Sequence, residues 1–339
     1  MDEALIESAH RGEKVLVTGA TGFAGGVLAR RLREAGAEVR VLVRSREKLD
    51  AKGLADMDCV EGSVTDPEAV RIAVEGVAVV YHLAAVYREG GIGDEVYEDV
   101  HVGGTRNLCE ASLAAGVKRF VHCSTVGVHG HIENPPADEE YRISPGDVYQ
   151  RTKLEGEQMA WKFYREKGLA VSVVRPAAIF GPGDERLLKM FRLANRDRVI
   201  LLGDGEIFYH MVHVEDLATG FLLAGTVPEA VGEPFIIAGE RYLPLNELLQ
   251  RIAEILGKKG KLLHLPAKPL QWAGSFCEKV FIPLGLTPPI YRRRVDFFTK
   301  SRAFDIGKAK RILGYAPQFR IEDGLRETAE AYQKAGWIR

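Results

Sequence analysis

Short apolar runs alternate with amphipathic segments through the first half of the chain. The predicted strands are runs of consecutive or alternating apolar residues, at Lys14–Thr18, Glu38–Val43, 78–83 and 119–124. The predicted helices repeat apolar residues every three or four positions, at 27–35, 66–75 and 97–115. Strands and helices that alternate in this way predict an α/β fold, in which a doubly wound parallel sheet carries helices on both faces.

The second half of the chain has a different pattern. A long helix is predicted from Tyr149 to about Lys167, followed by a strand at 170–175 and a further sheet element at 234–238. Loops rich in glycine and proline separate three more predicted helices, at 245–256, 305–314 and 321–335. We expect these later segments to form a smaller lobe over the carboxyl edge of the sheet.

Charge and cysteine content narrow the classes of partner. The chain has 46 Lys and Arg against 47 Asp and Glu, so it lacks the basic field that would hold a nucleic acid. The apolar stretch at 262–290 is too broken by charges and prolines for a membrane-spanning helix. Four widely spaced cysteines indicate neither a zinc site nor a disulfide framework, and the acidic start at Met1 lacks a signal-peptide run. We therefore expect a cytoplasmic protein that binds a small molecule and no metal.

A glycine-rich turn joins the first strand to the first helix, with the sequence Thr18-Gly19-Ala20-Thr21-Gly22-Phe23-Ala24-Gly25. Glycines at these positions let the backbone approach a pyrophosphate, and the following helix N-terminus offers free N–H groups. The spacing departs from the common G-x-G-x-x-G form, and a turn of this kind is by itself also an ordinary strand-to-helix connection. Its place in the first strand–helix unit favours dinucleotide binding.

The end of the second strand indicates which dinucleotide is bound. It reads Val43-Arg44-Ser45-Arg46, without the carboxylate that would accept from the ribose 2′-hydroxyl of NAD. Two guanidiniums favour a 2′-phosphate, because arginine binds phosphate through paired hydrogen bonds. We expect a preference for NADP(H), with NAD(H) as the alternative cofactor. The other interpretation is that Arg44 and Arg46 are solvated surface charges.

Tyr149 and Lys153 are one helical turn apart at the start of the predicted long helix, so they share a face. A lysine ammonium beside a phenol favours the phenolate and lowers its pKa from about 10 toward the range of an acid–base catalyst. The preceding strand ends at Ser124-Thr125, whose two hydroxyls either face a ligand or form hydrogen bonds at the strand end. Hydroxyl, phenol and ammonium can therefore converge above the sheet, where ligands of α/β proteins bind.

Together these motifs resemble the extended short-chain dehydrogenases/reductases over nearly the whole chain. Further segments match in the family's order, namely Tyr81-His-Leu-Ala-Ala85, Gly104-Thr105, Arg175-Pro-Ala-Ala-Ile-Phe-Gly-Pro-Gly183 and Val212-His-Val-Glu-Asp216. The resemblance implies a Rossmann fold in which Tyr149 is the general acid–base, Lys153 holds the ribose hydroxyls and Thr125 binds the substrate oxygen. The cofactor-binding residues that it implies are Gly19, Thr21, Gly22, Phe23, Gly25, Arg44, Ser63, Val64, Leu83, Ala84, Ala85, Ser124, Tyr149, Lys153, Pro176 and Ala177.

The same resemblance bears on the organisation of the molecule. We expect residues 11–180 and 212–240 to bind the cofactor, and residues 181–211 and 241–339 to bind the substrate. Related enzymes often dimerise through helices that correspond to 97–115 and 149–167, so we expect a homodimer.

Two positions depart from the family's pattern. Ser63 stands where the family often has an aspartate that contacts the adenine, so we expect looser adenine recognition. His101 takes the place of an asparagine that supports a water relay to the lysine. A histidine there either relays protons or is a packed helix residue.

The side chains at the substrate end bear on the reaction. Dehydratases of the family carry an acidic pair directly after the hydroxyl residue, but here Val126 and Gly127 follow Thr125, which disfavours dehydration. Tyr209 takes the place of an arginine that pairs with the pyrophosphate of sugar nucleotides. Arg241 or the cluster Arg292–Arg294 could substitute for that cation, and the alternative for both is a solvated basic face.

The apolar segment 262–290 either lines a hydrophobic pocket or rests on a membrane surface, or it forms a core helix with a cap or dimer contact. The segment that follows, from Arg294 to Tyr315, resembles the 3β-hydroxysteroid dehydrogenase branch of the family. We therefore predict hydride transfer between NADP(H) and a secondary alcohol or ketone on a bulky apolar substrate, such as a sterol or a long-chain 3-oxo compound. The alternatives are a sugar-nucleotide epimerase or reductase and a non-catalytic dinucleotide sensor.

Overall fold

The structure is a computed structural model that describes residues 10–87, 91–266 and 298–338, together with 269, 272, 276, 277 and 279–281. The strands in chain order are β1 (Lys14–Thr18), β2 (Glu38–Val43), β3 (Asp58–Glu61), β4 (Val79–His82), β5 (Arg119–Cys123), β6 (Val171–Pro176), β7 (Ala178–Phe180), β8 (Arg198–Leu202), β9 (Phe208–His213), β10 (Pro234–Ile237), β11 (Tyr242–Pro244) and β12 (Lys261–Leu265). The helices are α1 (Phe23–Glu34), α2 (Arg46–Asp50), α3 (Pro67–Val74), α4 (Asp94–Glu98), α5 (Gly104–Ala114), α6 (Val148–Lys167), α7 (Leu188–Ala194), α8 (Val214–Thr226), α9 (Leu245–Ile255) and α10 (Ile321–Lys334).

Seven strands form the central sheet in the order β10-β6-β5-β4-β1-β2-β3, and every pairing in it is parallel. The order of its first six strands in sequence is that of the dinucleotide-binding α/β fold, so the predicted Rossmann fold is confirmed. β1 lies in the middle, and its Val15, Leu16 and Val17 are fully buried because helices cover both faces. The order in which successive strands are added to the sheet switches sides between β1 and β4, and ligands of such sheets bind at this switch point.

One apolar cluster covers each face of the central sheet. On one face, α1 and α8 pack through residues such as Leu28, Leu32 and Phe221. On the other face, α3, α5 and α6 pack against β1 and β5 through residues such as Leu108 and Phe163. The two clusters hold the carboxyl ends of the parallel strands at one edge, where the candidate site is built.

A third apolar cluster organises a smaller lobe, which consists of β7, β8, β9, β11, β12, α7, α9 and α10. In it, β11, β9 and β7 form one sheet, while β12 pairs in parallel with β8. Residues 261–265 are thus a strand, so the interpretation of 262–290 as a core helix is wrong for its first residues. The described residues Trp272 and Phe276 farther along this segment are exposed, by 81% and 68%. No helix in the described ranges is long and apolar enough to cross a membrane.

The predicted helix at 97–115 is interrupted. A π-helical turn, Asp99–Gly103, lies between α4 and α5. The Thr105 hydroxyl donates a hydrogen bond to the His101 carbonyl oxygen (2.6 Å), and a Cβ on Gly156 of α6 would overlap the same oxygen. α6 therefore packs directly against the π-helical turn. The predicted helix at 305–314 is likewise a π-helical segment, Ala309–Leu313.

Candidate active site

The glycine turn after β1 is shaped by contacts between backbone atoms. Gly19 has a positive φ of 78°, and a Cβ at this position would lie 2.8 Å from the backbone nitrogen of Ala84. A Cβ on Gly25 would overlap the carbonyl oxygen of Gly19. The turn therefore accepts glycine alone at these two positions, because backbone cannot yield to a side chain as a flexible group can.

The N-terminus of α1 has free capacity to bind an anion. Its N-cap residue is Gly22, which supplies no side-chain cap, and the first turn holds no acidic residue. The first N–H groups of a helix lack intrahelical acceptors and lie at the positive end of its dipole. Thr21 and Phe23 are half-buried beside them. An uncapped helix end within a backbone cradle fits the pyrophosphate of a dinucleotide.

The ends of β2 and β3 line the expected adenosine side. Arg44 and Arg46 are exposed, and neither has an ion-pair partner in the part of the chain that the structure describes. Between them, the Ser45 hydroxyl accepts from the Lys48 N–H (3.3 Å) and caps α2. The Ser63 hydroxyl is paired with that of Thr65 at 2.8 Å.

Val64 and the residues after β4 form the adjoining wall. Val64 is buried, its carbonyl accepts from the Asn107 side chain (3.1 Å), and a Cβ on Gly104 would lie 2.6 Å from its Cγ2. Leu83 and Ala84 are half-buried and Ala85 is exposed. Small and apolar groups therefore lie between the glycine turn and α5.

A chain of hydrogen bonds runs beneath the turn from β4 to α5. The Ala84 N–H donates to the Thr18 hydroxyl (3.1 Å), which donates to His82 Nδ1 (2.8 Å). His82 Nε2 donates to the Thr105 hydroxyl (3.1 Å), whose own hydrogen goes to the His101 carbonyl. Since a hydroxyl has one hydrogen to donate, and that of Thr105 goes to His101, these contacts place a proton on His82 Nε2. Burial lowers the pKa of His82 to about 3, so it stays neutral.

His101 is held by a second chain of the same kind. The Val86 N–H donates to His101 Nε2 (3.1 Å), so Nδ1 carries the ring proton and donates to the Thr152 hydroxyl (2.8 Å). Burial, together with the nearby charge of Lys153, lowers the pKa of His101 to about 2. The ring also lies edge-on to Tyr149, with centroids 5.7 Å apart. With both nitrogens occupied, the geometry favours the packed histidine over the proton relay.

Lys153 and Tyr149 lie on the first turns of α6, as their spacing predicts. The Lys153 ammonium donates to the carbonyl oxygen of Cys123 at the end of β5, and its side chain is buried. Burial lowers the pKa of Lys153 below its ordinary value. The Tyr149 ring is half-buried and stands edge-on to the Tyr87 ring at 5.1 Å. The helix thus brings the ammonium to the carboxyl end of β5, with the phenol one turn earlier on the same face of the helix.

Thr125 follows β5 at the same edge. Its hydroxyl oxygen accepts from the Gly127 N–H (3.0 Å) and so caps the 3-10 turn Val126–His129. A Cβ on Gly127 would lie 3.2 Å from the Thr125 oxygen and 3.1 Å from the Gln150 side chain, so Thr125 adjoins the first turn of α6. In the described ranges the hydroxyl hydrogen has no acceptor and remains available to a substrate oxygen. Ser124, by contrast, is buried behind it.

Sequence reasoning missed a buried ion pair behind these residues. Arg175 at the end of β6 binds Glu157 of α6 through two hydrogen bonds, of 2.6 Å and 3.1 Å. Burial opposes ionisation of Glu157, but the hydrogen bonds and charge of Arg175 outweigh it and hold its pKa below the ordinary value. The sequence signal that could have indicated this pair is the spacing of Glu157, which lies one helical turn after Lys153 and therefore shares its face. Pro176 and Ala177 follow directly and are buried beside β10.

The residues expected to report on a sugar nucleotide are only partly described. Tyr209 is buried in β9, and the guanidinium of Arg302 lies 5.9 Å from its ring centroid. Arg241 is exposed. The cluster Arg292–Arg294 lies outside the described residues, as does most of 267–297.

Comparison with known proteins agrees with this geometry. The sequence profile of the NAD dependent epimerase/dehydratase family matches residues 15–238, which include β1 from its second residue, the glycine turn, Tyr149, Lys153 and β10. The chain belongs to this family. It is therefore an enzyme of the extended short-chain dehydrogenase/reductase type, with a dinucleotide-dependent oxidoreductase site.

Individual relatives are similar over most of the chain. The 3β-hydroxysteroid-dehydrogenase/decarboxylase isoform 2 of Arabidopsis thaliana is 31% identical over 80% of this chain and 51% of its own length. The chain thus spans about half the length of this plant relative. The 2-alkyl-3-oxoalkanoate reductase of Stenotrophomonas maltophilia is 31% identical over 92% of this chain and 97% of its own. Among solved structures, the protein named gox2253 superposes with a TM-score of 0.82 at 29% identity, covering 97% of this chain and 100% of that one.

Proposed function

We propose that this enzyme is an NADP(H)-preferring dehydrogenase or reductase that interconverts a secondary alcohol and a ketone on a bulky apolar substrate. The observation that carries the proposal is the arrangement at the end of β5. There, the buried Lys153 ammonium and the Tyr149 phenol lie on one face of α6, beside the available hydroxyl hydrogen of Thr125. A carbonyl–alcohol conversion needs three such groups. They are a proton donor, a positive charge that lowers the pKa of that donor, and a hydrogen-bond donor to the substrate oxygen.

Each group has a role in the proposed reaction. The dinucleotide, when bound, supplies or accepts the hydride at its nicotinamide ring. In reduction, Tyr149 donates the phenolic proton to the oxygen of the substrate as negative charge develops there, and in oxidation the tyrosinate accepts it back. Thr125 donates a hydrogen bond to the same oxygen. Lys153 has three donors, of which one is held by Cys123, so two remain for ribose hydroxyls while its charge favours the tyrosinate.

Two observations support an apolar substrate. The relatives described above are named for steroid and alkyl-oxoalkanoate substrates. In addition, Tyr209 provides an aromatic ring where sugar-nucleotide enzymes tend to carry a phosphate-binding arginine. We assign substrate binding to residues 181–211 and 241–339, and cofactor binding to residues 11–180 and 212–240.

The preference for NADP(H) is supported by the end of β2. Arg44 and Arg46 are both exposed there, and the strand end itself has no carboxylate that would repel a 2′-phosphate. NAD(H) is the cofactor named in the family's description, and it would bind the same site without this contact.

The proposal is tested by following the absorbance of reduced nicotinamide. The purified enzyme is mixed with NADP(H) and, separately, with 3-hydroxy and 3-oxo sterols, long-chain 3-oxo acids and sugar nucleotides. We expect a stoichiometric change with an apolar alcohol or ketone that Tyr149→Phe abolishes. A flat trace with every apolar compound, combined with conversion of a sugar nucleotide to its epimer, would replace the proposal with the epimerase.

A further inference from the structure

Arg186 lies in the smaller lobe, between β7 and α7, and one edge of its guanidinium is anchored. Its Nε donates to Asp184 (2.6 Å), whose carboxylate is buried and also accepts from the N–H groups of Arg186 and Leu187. A second nitrogen, Nη2, donates to the Ile179 carbonyl (3.3 Å). The loop therefore fixes the orientation of the Arg186 side chain, because the buried Asp184 carboxylate binds both the backbone N–H and the Nε of Arg186.

The other side of the guanidinium reaches across to the cofactor-binding half of the molecule. Its central carbon lies 5.3 Å from the ring centroid of Phe23 and 5.6 Å from that of Tyr87. Phe23 is the first residue of α1, directly after the glycine turn, and the Tyr87 ring contacts that of Tyr149. The charge also acts on Cys123 at the end of β5, where it opposes the effect of burial, which raises the pKa of the thiol.

Arg186 thus lies between the two ends of the candidate site, with Phe23 of α1 on one side and Tyr87, which contacts Tyr149, on the other. Phosphates would bind at the N-terminus of α1, and the ribose nearest the reacting ring would bind at Lys153. A dinucleotide bound at both of these points would pass close to the Arg186 guanidinium. Contacts of a cation with exposed aromatic rings are weak, at about 0.5–1 kcal/mol, whereas paired hydrogen bonds to a phosphate are stronger and directional. An anion bound there would therefore draw the guanidinium away from the rings.

We infer that Arg186 binds the pyrophosphate of the dinucleotide from the smaller lobe, opposite the free N–H groups of α1. The inference rests on the dinucleotide site of the proposed function, but it does not depend on the substrate or on the choice between NADP(H) and NAD(H). The positive helix end on one side and the guanidinium on the other enclose the two negative charges of the pyrophosphate. Binding of the dinucleotide thereby connects the smaller lobe to the Rossmann sheet.

The test measures dinucleotide binding directly, by fluorescence titration without substrate. Arg186→Gln removes the charge, Arg186→Lys keeps it without the fork, and Arg196→Gln removes a charge from an exposed site in the same lobe as a control. Three probes separate the parts of the cofactor, namely NADPH, 2′-phospho-ADP-ribose, which keeps the pyrophosphate but has no nicotinamide, and adenosine 2′-monophosphate, which has neither.

We expect Arg186→Gln to weaken NADPH and 2′-phospho-ADP-ribose equally, by about tenfold or more, and to leave adenosine 2′-monophosphate unchanged. Arg186→Lys should give an intermediate loss, since the ammonium provides charge without paired geometry. Arg196→Gln should bind all three probes as the unaltered enzyme does. Coincident thermal unfolding midpoints would exclude misfolding as the cause of the loss.

Two results would overturn the inference. Loss of NADPH affinity without loss of 2′-phospho-ADP-ribose affinity would assign the contact to the nicotinamide half. Unchanged affinity for every dinucleotide in both Arg186 variants would exclude a cofactor contact, even if a substrate KM rises. If NADH binds more tightly than NADPH, the proposed cofactor preference fails, and the same comparison with NADH and ADP-ribose still decides the role of Arg186.

Discussion

The glycine turn after β1 is formed by backbone atoms, whereas the region around the first turns of α6 is formed by buried polar side chains. In the turn, Gly19 and Gly25 leave no room for a Cβ, and the N–H groups of α1 are uncapped. Around α6, Lys153 binds a backbone carbonyl and Glu157 binds Arg175. The proposed cofactor-binding side is therefore shaped by the absence of side chains, whereas the proposed catalytic side depends on buried polar side chains.

The difference has a physical origin. A dinucleotide presents phosphates that can be bound by N–H groups alone, and those groups must be approached closely. A reacting oxygen instead needs a group that can give up a proton, which the backbone cannot provide. Buried polar side chains are costly unless each donor and acceptor is satisfied. The hydrogen-bond chains through His82 and His101 meet that requirement for these two rings.

The largest effect is expected where a buried charge loses its partner. Arg175→Met leaves the Glu157 carboxylate buried and unpaired, so we expect a loss of about 3–5 kcal/mol in the free energy of unfolding, measured with urea. The double variant Arg175→Met, Glu157→Leu should recover much of that loss, because it removes both charges. Arg71→Gln, which breaks an exposed pair with Glu68, should not move the midpoint. A double variant as unstable as the single one would show that the pair is not the cause.

The backbone side is tested by adding a methyl group. Gly25→Ala places a Cβ against the Gly19 carbonyl, and displacing the turn should cost up to about 3 kcal/mol, or roughly 100-fold in NADPH affinity. Gly103→Ala is the matched control, because no atom lies within 4 Å of the added group. It should bind NADPH normally and unfold at the same or a higher temperature. Normal binding by Gly25→Ala would contradict a backbone-built phosphate site.

His101 offers a test through pH. Its folded pKa is about 2, so only the unfolded chain gains a proton as pH falls below the ordinary histidine value. Stability is therefore lost on acidification, by about 2 kcal/mol between pH 7 and pH 5 from this residue. His101→Asn should show a correspondingly flatter dependence of unfolding free energy on pH, with turnover retained. Parallel pH curves would contradict the low folded pKa, and a turnover loss of about 100-fold would favour the proton relay instead.

The smallest effect concerns the exposed end of β2. Arg44→Gln should weaken NADPH by about 1 kcal/mol, roughly fivefold, and leave NADH unchanged, because only NADPH carries the 2′-phosphate. Arg46→Gln tests the second guanidinium in the same titration. An equal loss for both cofactors would mean that these arginines act as general surface charge.

The contrast between the backbone-built glycine turn and the side-chain network around α6 also explains which parts of the molecule the sequence predicts well. β1 and β2 occur at the predicted residues, and α6 begins one residue early, because consecutive apolar positions and local spacing carry the signal. The glycine turn and the Tyr149–Lys153 pair are also local motifs. The strands β8 and β12 were not predicted. They pair with each other, Arg198–Leu202 with Lys261–Leu265, across a long stretch of sequence, and no local pattern indicates that pairing.

The polar network around α6 could not be predicted for a related reason. His101 takes its tautomer from Val86 and Thr152, which belong to different parts of the chain. Glu157 looks like an ordinary surface charge on a helix until β6 brings Arg175 against it. Arg186 lies in a loop, and its contacts with Phe23 and Tyr87 join the smaller lobe to the Rossmann half of the molecule.

The central claim, hydride transfer to an apolar ketone with Tyr149 as the proton donor, is tested most directly by isotope transfer. NADPH deuterated at C4, in each of the two stereochemical forms, is incubated with the ketone substrate and the product is analysed by mass spectrometry. We predict one deuterium on the carbinol carbon from one form only, and no labelled alcohol with Tyr149→Phe. Recovery of every apolar ketone without reduction or deuterium would contradict the account. So would epimerisation of a sugar nucleotide without net transfer of deuterium from the cofactor.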